Sequence, residues 1–130
     1  MQKRADESSA IAIIYLRVST TRQADKAHNV DTQRSLCLAY CGRKGLQVVA
    51  EFVDRGESAR SADRTEFQKM LAYCRKQHVA YLIVSKLDRF ARNVEDQARE
   101  ISGLWKRYGI KTRSASEPID ETATGRLVSQ

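Results

Sequence analysis

A serine and an arginine stand two residues apart at the end of an apolar run near the start of the chain. The run covers residues 11–18, contains Arg17 and is followed directly by Ser19. A serine at the end of a buried strand can present its hydroxyl at the edge of a sheet. An arginine beside it can hold a phosphate through two parallel hydrogen bonds. The pair suggests phosphoryl transfer to serine, although a serine after a strand is more often a helix cap or a turn residue.

Four apolar segments have the length and composition of strands. Residues 11–18 form a continuous apolar run rather than an alternating one, which predicts a strand buried on both faces. We expect further strands at 46–53 and 79–84, and a weaker one at 110–114. The intervening polar segment 55–63 is expected to be a mobile loop.

Helical spacing of apolar residues predicts helices between these strands. The first is expected to begin near Asp31, with Asp31 or Thr32 as its cap, and to end at Gly42 or Gly45. Two more are expected around 67–74 and 93–109. The alternation predicts an α/β domain with three layers, in which helices flank a central, mainly parallel sheet of four to five strands.

Charged side chains follow three of the predicted strands. In open parallel sheets the functional crevice lies beyond the carboxyl ends of the strands. The residues expected at this edge are Arg17 and Ser19 after the first strand, Asp54, Ser58, Arg60 and Arg64 after the second, and Asp88, Arg89 and Arg92 after the third. Several arginines and a serine would then share one crevice.

The third group contains the most suggestive spacing. Arg89 and Arg92 are three residues apart and Asp88 and Arg92 are four apart, so in a helix each pair shares a face. The aspartate could orient an arginine or pass a proton to a leaving hydroxyl. The plainer alternatives are a solvated face and a surface ion pair of little energy. Ser85, the nearest rival nucleophile, is interpreted as a turn residue at the end of a strand.

The chain is strongly basic, with 23 Lys and Arg residues against 16 Asp and Glu and a net charge of +7. This balance indicates a polyanionic partner such as nucleic acid, although it also fits a merely soluble basic protein. The length of 130 residues suffices for one compact domain. No apolar run approaches a membrane span, and the polar N-terminus lacks a signal core. We therefore expect a cytoplasmic protein with a flexible tail at residues 1–10.

Three cysteines fit a reducing compartment. Cys37 and Cys41 are four apart, as are Cys74 and His78, but both pairs lack the tight spacing of structural zinc sites. Buried free thiols are the favoured interpretation. The sequence has neither a glycine-rich phosphate loop nor a carboxylate cluster for two metals. The chemistry suggested uses no nucleotide, metal or other cofactor, and arginines stabilise the developing charge.

Several separated motifs resemble the amino-terminal catalytic domain of serine site-specific recombinases, the resolvases and invertases. They are Tyr15-Leu16-Arg17-Val18-Ser19-Thr20, Val30-Asp31-Thr32-Gln33-Arg34, Asp54 with Ser58, Ser61-Ala62-Asp63-Arg64 and Lys86-Leu87-Asp88-Arg89-Phe90-Ala91-Arg92-Asn93. The resemblance extends over residues 11–127. The long spacing between Ser19 and Gln33 and the pattern at 61–71 look more like the large members of the family.

The resemblance implies a mechanism and a role for each matching residue. Ser19 would attack a DNA phosphodiester and form a 5′-phosphoserine link with release of a 3′ hydroxyl, before strand exchange and religation. Arg17, Arg64, Arg89 and Arg92 would bind and activate the phosphate, with support from Asp88 and Gln33. Gln33 would touch the phosphate or order the loop after Ser19. Weaker candidates are Tyr15, which equally fits core packing, Asp54, which equally fits a turn, and Ser58 and Arg60 as contacts to the DNA backbone.

The resemblance also implies a domain plan and partners. Residues 11–121 would form the catalytic domain, and 122–130 would begin a long helix leading to dimerisation and DNA-binding regions that lie beyond the chain. DNA is the expected partner, with a homodimer or tetramer of the full-length protein and no small-molecule substrate. A non-catalytic nucleic-acid or phosphate-binding module on the same fold is the alternative. A phosphoacceptor domain using Asp54 is a third possibility, but it lacks an acidic pair near the first strand.

Overall fold

The computed structural model describes residues 10–18, 29–55, 65–91 and 93–116. In chain order these residues form β1 (Ile11–Val18), α1 (Val30–Lys44), β2 (Gln47–Arg55), α2 (Thr65–Lys76), β3 (Tyr81–Val84), α3 (Leu87–Phe90), α4 (Val94–Tyr108) and β4 (Lys111–Ser114). The predicted alternation of strands and helices is confirmed. In the part of the chain so described, no helix is both long and apolar enough to cross a bilayer.

The four described strands form one parallel sheet in the order β2-β1-β3-β4. Since all of them point the same way, their carboxyl ends meet along one side of the sheet, which we call the carboxyl edge. β1 lies between β2 and β3, and its end therefore has a neighbouring strand end on each side. The carboxyl ends of β1, β2 and β3 thus lie side by side, as the sequence predicts.

β1 is buried on both faces because its alternate residues serve two separate cores. Ile13 and Tyr15 pack on the face covered by α2, α3 and α4. Ile14 and Leu16 pack on the opposite face against Cys37 of α1. All four of these β1 residues are fully buried. This two-sided burial explains why the sequence of β1 is continuously apolar rather than alternating.

The first helix starts slightly earlier than the sequence predicts. Asn29 is its cap, and the side-chain oxygen of Asn29 accepts a hydrogen bond of 2.8 Å from the backbone N–H of Thr32. The prediction of Asp31 or Thr32 as the cap was therefore wrong. Gly45, with a φ of 70°, ends the helix in the left-handed conformation that favours glycine, while Gly42 lies inside it.

An ion pair joins α1 to the edge strand β2. Arg34 donates two hydrogen bonds to Glu51, of 2.8 Å from Nε to Oε1 and of 2.6 Å from Nη2 to Oε2. These hydrogen bonds hold the pKa of the Glu51 carboxyl below its usual range. The two-pronged geometry restricts how α1 can turn about its own axis. Gln33, the neighbour of Arg34 on α1, is buried and lies against the sheet.

The three cysteines are free and buried, as predicted. Burial raises the pKa of the Cys37 thiol to about 12 and that of Cys74 to about 11, because a thiolate loses its hydration inside the protein. Burial also raises the pKa of Cys41. Among the described residues, no group of three or more His, Cys, Asp and Glu side chains could hold a metal ion.

We expect these thiols to react with a disulfide reagent such as DTNB only after the protein unfolds. An unfolded thiol titrates near about pH 8.5, well below the folded values. The neutral thiols therefore stabilise the fold below that pH, and this contribution is lost as pH rises from about 8.5 toward 12. Urea midpoints measured between about pH 7 and pH 10 should fall, and Cys37→Ala should make the fall shallower. Rapid reaction of DTNB with the native protein would contradict this view.

Candidate active site at the carboxyl edge

Arg17 connects the end of β1 to the turn that follows β3. Its guanidinium Nη2 donates a hydrogen bond of 3.1 Å to the backbone carbonyl of Asp88, across 71 residues of chain. Asp88 lies in the one-turn helix α3 and is followed directly by Arg89. The predicted meeting of the first and third charged groups is therefore observed. Arg17 and Arg89 belong to the same edge of the sheet.

Arg89 lies partly buried beside Asp88, with its side chain 25% exposed. Its Nε is fully buried and has no hydrogen-bond partner among the described residues. The closest carboxylate oxygen in the ion pair, Oδ1 of Asp88, is 3.7 Å away, which is too long for a hydrogen bond. A buried N–H donor without a partner is costly, since it has lost its water. Because 25% of the Arg89 side chain is exposed, an anionic ligand can reach it from outside.

The helix on which the spacing argument for Arg92 depends ends too early. α3 ends at Phe90, and Ala91 is extended, with φ −153° and ψ 154°. The helix therefore stops before position 92, which lies outside the described residues. Asn93 then caps α4 by accepting a hydrogen bond of 2.8 Å from the backbone N–H of Asp96.

Gln33 bridges the ends of β1 and β3. Its side-chain Nε2 donates to the carbonyl of Arg17 at 3.2 Å, and its Oε1 accepts from the hydroxyl of Ser85 at 3.2 Å. Gln33 and Ser85 are each only 2% exposed. This placement lets Gln33 order the end of β1, whereas its two predicted roles, contact with a phosphate and ordering of the loop after Ser19, stay predictions. Ser85 is a buried residue at a strand end, and its hydroxyl is not presented to solvent.

Asp54 joins β2, β1 and α2 within the protein. Its carboxylate accepts a hydrogen bond of 2.7 Å from the hydroxyl of Tyr15, and bonds of 2.8 and 3.1 Å from the backbone N–H groups of Glu66 and Phe67. Asp54 is 4% exposed and Tyr15 is fully buried. The carboxylate thus caps the start of α2, where a negative charge is favourable. Both residues position the element that Arg64 directly precedes.

Replacing Asp54 should destabilise the fold more than replacing its tyrosine partner. Asp54→Asn leaves one acceptor oxygen for three donors, and we expect a loss of about 3 kcal/mol in the free energy of unfolding, since bonds to charged groups are the stronger ones. Tyr15→Phe removes a single donor and should cost about 1.5 kcal/mol. Urea unfolding measures both. An Asn variant as stable as the wild type would show that the cap is energetically unimportant.

Five predicted site residues lie outside the described residues. They are Ser19, Ser58, Arg60, Arg64 and Arg92. Three of them adjoin described elements in the sequence, since Ser19 follows Val18 of β1 directly, Arg64 precedes Thr65 of α2 and Arg92 follows Ala91. Their assignments stay predictions from the sequence.

The sequence did not predict the contacts or position of two residues at the carboxyl edge, Ser85 and Arg55. Ser85 was interpreted as a turn residue, and its hydrogen bond to Gln33, 52 residues away, has no local signal. Arg55, the last residue of β2, is exposed and lies opposite Val18 in the sheet register. It adds a cation beside the end of β1. Its position as the first basic residue after the second apolar run was the available signal.

Comparison with known proteins identifies this arrangement. Residues 12–130 match the family model described as Resolvase, N terminal domain. The N-terminal catalytic domain of TP901-1 integrase superposes with a TM-score of 0.79 at 27% identity, covering 92% of this chain and 90% of that one. A resolvase family site-specific recombinase from Streptococcus pneumoniae gives a TM-score of 0.75 at 27% identity, covering 93% and 82%.

A curated relative comes from a virus. The uncharacterized immunity region protein 3 of Bacillus phage phi105 is 33% identical over 60 residues, which are 46% of this chain and 73% of that protein. A phage relative is in keeping with a mobile genetic element. The fold and these likenesses define a site-specific recombinase catalytic domain, an enzyme that acts on DNA. The chain belongs to the resolvase N-terminal domain family.

Proposed function

We propose that Ser19 is the nucleophile that cleaves DNA. Its Oγ forms a bond to a backbone phosphorus and the bond from phosphorus to the 3′ oxygen breaks. The serine hydroxyl loses its proton as this bond forms, and the leaving oxygen gains one and becomes a 3′ hydroxyl, while the 5′ end stays attached to the serine. The phosphoserine ester retains the energy of the broken bond, so the reverse attack by a 3′ hydroxyl rejoins a strand without ATP.

The observation that carries this proposal is the contact between Arg17 and the turn bearing Arg89. The Arg17 guanidinium is bonded to the carbonyl of Asp88, and Arg17 lies two residues before Ser19 in the chain. Arg89 adds a buried Nε that lacks a hydrogen-bond partner in the described ranges. Two cations therefore adjoin the strand end that precedes the nucleophile. Arginine donors placed at a phosphate stabilise the charge that develops on its oxygens.

The remaining predicted residues complete the proposal. Arg64 and Arg92 would bind the same phosphate, and the Asp88 carboxylate would orient Arg89 or pass a proton to the leaving 3′ oxygen. Gln33, Tyr15 and Asp54 would act as positioning residues, which their burial supports. Ser58 and Arg60 would contact the DNA backbone. These two roles follow from the positions of Ser58 and Arg60 in the sequence motifs.

The domain plan and assembly are also proposals. We propose that residues 11–121 form the catalytic domain, that 1–10 form a tail, and that 122–130 open the long helix typical of the family. The working enzyme would be a dimer that pairs into a tetramer, acting in the cytoplasm. The affinity of this domain for DNA should be weak and should fall steeply with salt, because phosphate contacts release counterions.

The experiment that tests the proposal is capture of the covalent intermediate. The full-length protein is mixed with duplexes drawn from the DNA flanking its own coding sequence, each nicked near the cleavage point so that religation fails. A covalent adduct should accumulate, and peptide mapping should place the nucleotide on Ser19. Attachment to any other residue would overturn the assignment. Binding of these duplexes without an adduct would favour the non-catalytic alternative.

A further inference from the structure

We propose that Ser85 is a positioning residue for DNA cleavage, acting through Gln33 on the end of β1. This inference rests on the proposed function of Ser19. Ser85 is the first residue after β3, and its hydroxyl donates to Oε1 of Gln33 at 3.2 Å. That bond holds the amide so that Nε2 of Gln33 faces the carbonyl of Arg17, also at 3.2 Å. The Ser85 hydroxyl is thus linked to the end of β1 by the side chain of Gln33 alone.

The same segment of chain holds Arg17 at two points. The Arg17 carbonyl is bound through Gln33 to Ser85, and the Arg17 guanidinium is bound directly to the carbonyl of Asp88, three residues further on. The backbone and the side chain of Arg17 are thus both hydrogen-bonded, through Gln33 and directly, to the turn at residues 85–88. These two hydrogen bonds help to hold the end of β1 in place relative to Arg89. Small displacements between a nucleophile and the groups that hold its target are costly for reaction rate.

Ser85 is itself firmly held, so its hydroxyl has a defined direction. Its carbonyl accepts from the hydroxyl of Ser114 at 3.3 Å and from the backbone N–H of Ser116 at 3.1 Å. Ser85 is 2% exposed and Ser114 is 3% exposed. Ser114 of β4 and Ser116, which follows β4, therefore hold the backbone of Ser85 in place. A buried hydroxyl that is already donating is poorly placed to attack DNA and well placed to orient a neighbour.

Removing the hydroxyl should slow the chemical step and leave DNA binding intact. For Ser85→Ala we expect the single-turnover rate of adduct formation at saturating DNA to fall about 10-fold, with the Kd for the nicked duplex unchanged. In a Gln33→Leu background, Ser85→Ala should lower the rate no further, because the side chain that links Ser85 to Arg17 is gone. Equal rates for Ser85→Ala and wild type, or additive losses in the double variant, would overturn the proposal.

Thr112→Val is the matched control. Thr112 lies on β4, is fully buried, and its hydroxyl has no hydrogen-bond partner in the described part of the chain. The valine variant also removes a buried hydroxyl and should cleave at the wild-type rate. If Ser85→Ala does not fold, Ser85→Cys keeps the volume with a weaker donor and must show the same kind of loss in rate.

A measurement without DNA separates this inference from the proposed function. In nuclear magnetic resonance spectra of the free protein, Ser85→Ala should shift the side-chain amide signals of Gln33, whereas Thr112→Val should leave them in place. Unchanged Gln33 signals in Ser85→Ala would refute the positioning role even if Ser19 is the nucleophile. Absence of a Ser19 adduct in the wild type would refute the proposed function, and the Gln33 signals would still decide whether Ser85 orients that amide.

Discussion

Ser19→Ala is expected to abolish the covalent protein–DNA adduct while leaving DNA binding unchanged. Alanine has no oxygen to attack phosphorus, and the arginines proposed to hold the phosphate remain. Removing a nucleophile that works with pre-placed groups costs more than almost any other single change, and we expect a fall of at least about 10⁴-fold in the rate of adduct formation. The measurement is a single-turnover reaction on the nicked duplex, resolved by denaturing electrophoresis.

Two serine controls make this result specific. Ser35→Ala removes an exposed hydroxyl from α1 and should cleave as the wild type does. Ser85→Ala should be slower but should still carry its adduct on Ser19, because the Ser85 hydroxyl is buried and bonded to Gln33. An undiminished adduct in Ser19→Ala, or its transfer to Ser85, would refute the assignment.

The same reaction should proceed in the presence of a chelator. The proposed chemistry places arginine donors where a metallonuclease would use metal ions, so EDTA should leave the rate of adduct formation unchanged. Complete loss of cleavage in EDTA, restored by an added divalent metal, would point to metal-assisted hydrolysis and away from Ser19.

The fold could be predicted because its signals are local. The β1 run is buried on both faces by helices, and that condition leaves a continuous apolar segment in the sequence. The left-handed turns at Gly45 and Gly109 end α1 and α4, and glycine is the residue that such turns favour. The cap of α1 could not be predicted from the sequence. Asn29, Asp31 and Thr32 are all good caps, and only the backbone geometry selects Asn29.

The sequence predicts which residues meet at the carboxyl edge, but it does not predict the hydrogen bonds between them. Because parallel strands share a carboxyl edge, the sequence alone predicts that Arg17 and Asp88 lie close together. The bonds from Tyr15 to Asp54 and from Ser85 to Gln33 span 39 and 52 residues, and side-chain partners at such separations have no periodic signature. The assumed helix through Arg92 was wrong because α3 ends after a single turn. Local spacing cannot reveal where a short helix stops.

Arg89→Lys is expected to slow cleavage by at least about 100-fold, the usual effect of losing one well-placed donor to a developing oxyanion. Lysine keeps the charge, so attraction to DNA is retained and the Kd should change by less than about threefold, but lysine cannot reproduce the planar pair of donors.

The reason lies in the Nε of Arg89, which is buried and has no hydrogen-bond partner among the described residues. If that donor is completed by a phosphate oxygen, its loss must appear in the chemical step rather than in binding. Arg99→Lys is the matched control, because Arg99 is 72% exposed on α4 and pairs with Asp96 at the surface. A lysine variant at position 89 that cleaves like the wild type would mean that charge alone suffices there. The arginine-lined edge would then be a surface that attracts DNA rather than the centre that activates its phosphate.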